Sequence, residues 1–181
     1  MTTHLRPAGP GDAPAVAALH ADSWRRHYRG AYTDTFLDGD VHHDRLTVWT
    51  RRLATPGPDR TFLTVEPGRL TGFVHITPDE DPHWGALIDN LHVAHDRQRT
   101  GLGRALLTHA ATVATPGRPV HLWVLEQNHR AQRFYTALGG RITDRAPVTG
   151  APPGVLDGTP VKLRVTWPDA VTLRAAGAPD Q

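Results

Sequence analysis

Two periods of apolar residues divide this chain. Where they recur every three to four positions they predict helices. These helices cover 12 to about 28, with Val16, Leu19 and Trp24 inward, and 44–53, with Leu46, Trp49 and Leu53. A third runs through Leu102, Ala105, Leu106, Ala110 and Val113, and in a fourth Ala131, Phe134, Tyr135 and Leu138 share one face. Short, dense apolar runs predict strands at 5–7, 61–65, 70–76, 86–93, 122–125, 141–143 and 161–167. Pro67-Gly68 closes a hairpin between the second and third of these. Residues 78–84 read as an acidic, exposed connection, and 146–160, rich in proline and glycine, as a long loop. No internal repeat is visible. With 181 residues, the pattern predicts one domain over 1–167, with 168–181 as a flexible C-terminal tail.

Glycines punctuate this pattern where chemistry is expected. Between the strand at 86–93 and the helix from Leu102 lies Gln98-Arg99-Thr100-Gly101-Leu102-Gly103. Glycine lets backbone N–H groups approach an anion closely, and the helix beginning there adds unpaired amides and the positive end of its dipole. The turn therefore predicts a pyrophosphate-bearing ligand, with Arg99 and Arg104 adding charge. It is neither a P-loop, for no Gly-Lys-Ser/Thr follows, nor a dinucleotide fingerprint, for a third glycine is missing. Some 25 residues on, Asn128 stands as a helix N-cap and the Gly139-Gly140 pair as the helix stop.

Taken together, these residues resemble the GNAT superfamily of acetyl-CoA-dependent N-acetyltransferases. The resemblance rests on Leu91-His92-Val93, on Gln98-x-x-Gly101-x-Gly103, and on Asn128-x-x-Ala131-x-x-Phe134-Tyr135-x-x-x-Gly139, covering 87–140 in order. An Arg6-Pro7-Ala8 start, Asp12 at a helix N-terminus and a Gly72-Phe73-Val74 strand also fit. His95 stands where proline is common, and Gly140 replaces a usual Phe, a change expected to loosen the start of the next strand. The resemblance implies an α+β fold, an α/β/α sandwich with a mixed, largely antiparallel twisted sheet of six to seven strands flanked by about four helices. It implies acetyl-CoA as co-substrate, without metal, and transfer of its acetyl group to a primary amine by direct attack in a ternary complex. Pyrophosphate would lie on residues 99–104, and Gln98, Thr100 and Leu102 belong to the same turn. The strand edge at Leu91, His92 and Val93 would pair with the pantetheine arm, and Asn128 would meet that arm from the other side.

Such a reaction needs an acid for the departing thiolate. A phenol, with pKa about 10, can share its proton, and Tyr135 stands where the family places that acid. A base for the acceptor ammonium stays open between Asp89 and His92, with Glu126 as a third candidate. Strand alternation places Asp89 with Leu91 and Val93, and Asn90 with His92 on the other face. Acceptor contacts are expected from Trp24, Tyr28, Tyr32, Asn90, Trp123 and the 146–160 loop, and Arg25, Arg26, His27 and Arg29 could meet an anionic acceptor. His4, His20, His42 and His43 match no metal-ligand spacing.

Composition narrows the setting. There are no cysteines, so disulfide and thiolate chemistry are excluded. A net charge of +2 is too small to indicate nucleic acid, and neither a membrane span nor a signal-peptide core is found. The expectation is a cytoplasmic monomer or homodimer acting on a small-molecule amine, a metabolite or antibiotic. A protein or peptide acceptor is the main alternative, and a non-catalytic acyl-CoA sensor the further one.

Overall fold

The computed structural model describes residues 4–55 and 57–176. Its strands are β1 (His4–Pro7), β2 (Arg60–Glu66), β3 (Arg69–Asp81), β4 (Gly85–Val93), β5 (Val120–Leu125), β6 (Arg141–Pro147) and β7 (Val161–Trp167). They form one sheet in the order β1-β2-β3-β4-β5-β7-β6. Every neighbouring pair is antiparallel except β4–β5. The helices are α1 (Ala13–His27), α2 (Asp34–Asp38), α3 (Val41–Ala54), α4 (Leu102–Ala110), α5 (His129–Ala137) and α6 (Ala170–Ala176).

The pleat sends successive side chains to opposite faces, and each face has its own helices. Phe73 and Leu63 meet Val16 and Ala17 of α1 and Trp49 of α3. Val74 and Ile76 turn the other way, into a core with Leu106 and Leu107 of α4, Leu138 after α5 and Leu173 of α6. The expected α+β sandwich is therefore present, with a seven-stranded sheet.

Several boundaries differ from the sequence pattern. The stretch from 78 to 81, expected as exposed connection, continues β3. Asp81 pairs with Gly85, and its carboxylate accepts the amides of His83 (2.7 Å) and Trp84 (2.9 Å), which closes a tight turn. Helix α3 starts at Val41 rather than 44, and α2 was not expected; Thr33 Oγ1 caps it by accepting from the Phe36 amide (3.3 Å). Residues 170–176 of the expected tail are the helix α6, which inserts Leu173, fully buried, into the core. Burying one leucine is worth about 1.5–3 kcal/mol, and the helix is further held by buried Ala170 and by Asp169, whose carboxylate accepts the Thr172 amide (2.6 Å). The rest of that expectation, 177–181, lies outside the described residues.

Gly140 does not loosen β6. A Cβ there would come within 2.6 Å of Val165 Cγ1 and 2.8 Å of Trp167 Cζ2. Trp167, whose Nε1 donates to Leu138 O (2.8 Å), fills the space a larger residue would take.

The sheet splits in its middle. β4 and β5 pair only at Ala86–Val120, Leu87–His121 and Ile88–Leu122, and then part. Beside the split, the β3–β4 register passes from Ile76–Ile88 to His75–Asn90, leaving Asp89 as an extra residue. That bulge overturns the alternation expected for Asp89. Leu91 and Val93 pack on the α4–α5 side, whereas Asp89 reaches Arg52 of α3, on the side of His92.

Candidate active site

A cavity of about 480 Å³ opens where β4 and β5 part. One end is the glycine turn. Gly101 has φ 88° and precedes α4, and Arg99 before it is also left-handed (φ 66°). The first bond into the helix runs from the Ala105 N–H to Gly101 O (3.0 Å), so the amides before it project from the helix end. The two glycines do different work. A Cβ on Gly101 would meet nothing within 4 Å, so its need is conformational and the space above it is open. A Cβ on Gly103 would sit 3.4 Å from Phe134 Cζ, so that glycine lets α4 approach α5.

The arginines here divide by partner. Arg97 is bound by Glu66 (2.9 Å) and lies near Asp96 (3.5 Å), and Asp96 also pairs with Arg69. Among the described residues, Arg99 and Arg104 have no carboxylate within 4.0 Å, and both line the cavity with Gln98. Thr100 turns back to Arg97 O (2.6 Å), and neither it nor Leu102 is on the cavity wall.

The middle of the cavity is the β4 edge. Leu91, His92 and Val93 pair with Val74, Phe73 and Gly72 on one side. β5 has already left the other side, so that edge faces the cavity. Across the gap, Asn128 Oδ1 caps α5 by accepting from Ala131 N (3.1 Å). Tyr135, 8% exposed, lies edge-on to Phe134 (centroids 5.2 Å) and Trp167 (6.3 Å). Burial pushes its phenol well above the ordinary range, which keeps the proton on. The wall also includes Ser23, His27 and Arg130, which sequence reading did not assign to it. His27 belongs to the cationic run expected to meet an anionic acceptor, and Arg130 stands two residues after the α5 cap.

A second cavity, about 220 Å³, lies on the α1–α3 side. The expected acceptor residues Trp24, Tyr28, Tyr32, Asn90 and Trp123 all line it, as does Val148 of the expected 146–160 loop, and so do Arg45, Arg52 and Lys162, which were not foreseen. Tyr28, Asp89, Asn90, Trp123, Val124 and Leu125 border both cavities, so the two meet at the strand split. Trp24 stacks on Tyr28 (4.9 Å) and lies 4.8 Å from Tyr32. The arginines of the first helix and its end are engaged elsewhere. Arg25 donates to Leu37 O (2.9 Å), Arg26 pairs with Asp22 (2.8 Å), and Arg29 binds Asp34 (2.6 Å) and Asp38 (2.5 Å).

The candidate bases stand in different settings. Asp89 pairs with Arg52 (2.7 Å) and accepts from Asn90 Nδ2 (2.6 Å). His92 Nδ1 is 2.8 Å from Ser23 Oγ, and its ring centroid is 4.5 Å from that of His20. Burial drives His92 down to about 3, so it is neutral near pH 7. His20, wholly buried, accepts at Nδ1 from Trp49 Nε1 (2.9 Å), which places its own proton on Nε2. Glu126 is tied to Arg145 (2.7 Å) and lines neither cavity. Among the described residues, no helix is long and apolar enough to cross a membrane.

Comparison with known proteins agrees with this architecture. The profile of the Acetyltransferase (GNAT) family matches residues 21–139. The "Probable N-acetyltransferase Rv2775" of Mycobacterium tuberculosis is 30% identical over 153 residues, spanning 81% of this chain and 86% of that protein. Among solved structures, the PaiA N-acetyltransferase of Thermoplasma acidophilum in complex with coenzyme A superposes with a TM-score of 0.68 at 17% identity, over 92% of this chain and all of that one. The yncA protein of Salmonella typhimurium, solved with its cofactor acetyl-CoA, gives 0.63 at 18%, over 92% and 94%. This chain belongs to the GNAT acetyltransferase family and is an N-acetyltransferase by class.

Proposed function

We propose that the larger cavity takes acetyl-CoA and the smaller one a primary amine of a small molecule, and that the acetyl group passes between them at the strand split. The observation that carries this reading is the meeting of the two cavities beside Tyr28, Asp89 and Asn90. Three features fit the co-substrate: the outward amides and open space at Gly101, Arg99 and Arg104, which have no carboxylate partner among the described residues, and the free backbone edge at Leu91 to Val93. Pyrophosphate seated at the turn would leave the pantetheine arm to run along that edge, adding hydrogen bonds as a strand would. The size of the smaller cavity favours a small acceptor. It lies below the roughly 300–1,000 Å³ of sites for drug-sized ligands.

In this reading the amine nitrogen attacks the thioester carbonyl carbon and the C–S bond breaks. Tyr135 supports the sulfur as it gains charge. Its raised pKa makes it a donor that stays protonated at every working pH, so it stabilises the thiolate through a hydrogen bond before any proton passes. Asp89, already sharing charge with Arg52, suits the part of attracting the acceptor ammonium and receiving its proton through water. His92, held neutral beside Ser23, suits orientation of the amine better than proton removal, since its protonated form is disfavoured by burial. The test is Tyr135→Phe, expected to lower kcat by roughly 10²–10⁴-fold with acetyl-CoA affinity kept. Near-wild-type kcat in a folded variant would return Tyr135 to a packing role.

A further inference from the structure

The smaller cavity is unevenly charged. Its wall carries Arg45, Arg52 and Lys162 against a single carboxylate, Asp89. Arg52 is matched by Asp89 (2.7 Å). Arg45 lies over the Trp24 ring (4.3 Å) and is partnered by its neighbour Asp44. Lys162 has no carboxylate within 4.0 Å among the described residues. Its ammonium rests on Trp123 at 4.4 Å, with Arg164, itself 3.6 Å from the Asp144 carboxylate, on the same ring at 4.4 Å. Half-buried cations crowded on one indole repel each other, and burial and Arg164 together pull the Lys162 ammonium below its ordinary value. A cation placed so is destabilised unless an anion joins it.

From this wall we infer that the acceptor carries a carboxylate besides its amine, and that Lys162 holds this carboxylate while the ammonium faces Asp89. The inference rests on the reading of this cavity as the acceptor site and adds the chemical class of the acceptor. The aromatic wall of Trp24, Tyr28, Tyr32 and Trp123 suits an apolar body beside the two charged groups. The final loop closes this side. Thr33 N–H donates to Val155 O (3.0 Å), Thr33 Oγ1 to Gly154 O (2.8 Å) and Asp157 N–H to Ala31 O (3.0 Å), so the loop is tied to the chain just after α1. An amino-acid-like metabolite fits a cavity of about 220 Å³, and its two opposite charges match a wall that carries both Asp89 and Lys162.

The experiment compares matched sets: aromatic and aliphatic amino acids, their decarboxylated amines and their carboxamides, each with acetyl-CoA. Rates are taken at equal concentrations of free amine, because removing the carboxylate shifts the amine's own ionisation. The amino acids are expected to exceed their neutral-tailed counterparts in kcat/KM by roughly tenfold or more. Lys162→Met, which keeps the stem over Trp123, should collapse that ratio towards one, and Lys162→Arg should retain it. The same sets are titrated by calorimetry onto the enzyme saturated with coenzyme A. Binding preference without turnover would uphold the carboxylate subsite and sink the proposed reaction for these amines. Equal or better kcat/KM for neutral-tailed amines, a ratio unmoved by Lys162→Met, or no preferential binding in any set would overturn the inference.

Discussion

The two cavities meet at one gap, yet they are built in opposite ways. The larger is framed by a free strand edge and two helix starts close in sequence, β4, the turn at Gly101 and the starts of α4 and α5, with α1 and β5 completing its wall. The smaller is made of side chains brought from α1, α3, β4, β5, β7 and the final loop. A backbone site needs particular dihedral angles, and these call for glycine and a capping residue at fixed spacing. A side-chain site needs charges left unpaired, and pairing is settled by what each residue meets in space. The arginines show the contrast. Arg25, Arg26 and Arg29 look available on the first helix and are spent on Leu37, Asp22, Asp34 and Asp38. Lys162, at the start of an ordinary strand, is left facing the cavity.

The largest effect that could break this contrast is expected at Gly101. Gly101→Val forces a β-branched residue into a left-handed conformation and into open space proposed for phosphate, so the acetyl-CoA KM should rise by roughly tenfold to a hundredfold while acceptor KM stays. Unchanged cofactor affinity in the folded variant would remove the turn from the cofactor site. Asp89→Asn should act on the other cavity, lowering acceptor kcat/KM by about tenfold. Part of that loss should return at high pH, where the acceptor is already deprotonated. A flat pH response would take proton removal away from Asp89. Smaller effects separate the arginines. Neutralising Arg99 or Arg104 should raise acetyl-CoA KM by about two- to fivefold and flatten its salt dependence. Arg97→Gln, which breaks the pair with Glu66, should lower melting temperature more than cofactor affinity.

The smallest expected effect concerns stability in mild acid. His92 and His75 are lowered by burial to about 3 and about 4, from an ordinary 6.5, and the wholly buried His20 is lowered as well. Between these values the unfolded chain binds more protons than the folded one, so stability is full above about pH 6.5 and is lost as pH falls towards the folded values. Melting temperature should therefore drop by several degrees from pH 7 to pH 5, and His75→Asn should shallow the slope. A melting temperature constant across that window would show that these rings titrate with little burial penalty.

How far the sequence could be read followed the range of the forces involved. Strand and helix periods, the N-cap at Asn128, the left-handed glycines at Gly101 and Gly139, and the order of a GNAT fold all depend on residues within a few positions of one another. The sequence by itself therefore determined the layered fold and the neighbourhood of the larger cavity. Tertiary structure alone decided what depends on distant partners. The Asp81 carboxylate and cross-strand pairing extended β3 into an acidic stretch that reads as loop, and a core gap filled by Leu173 turned part of the expected tail into a helix. A one-residue bulge carried Asp89 from the face its alternation predicted to the side of Arg52. Trp167, 27 positions after Gly140, took up the room of a missing aromatic ring. Only three-dimensional pairing, which leaves Lys162 without a counter-ion among the described residues while it occupies Arg25 and Arg26 of α1, could show which charges remain to meet a substrate.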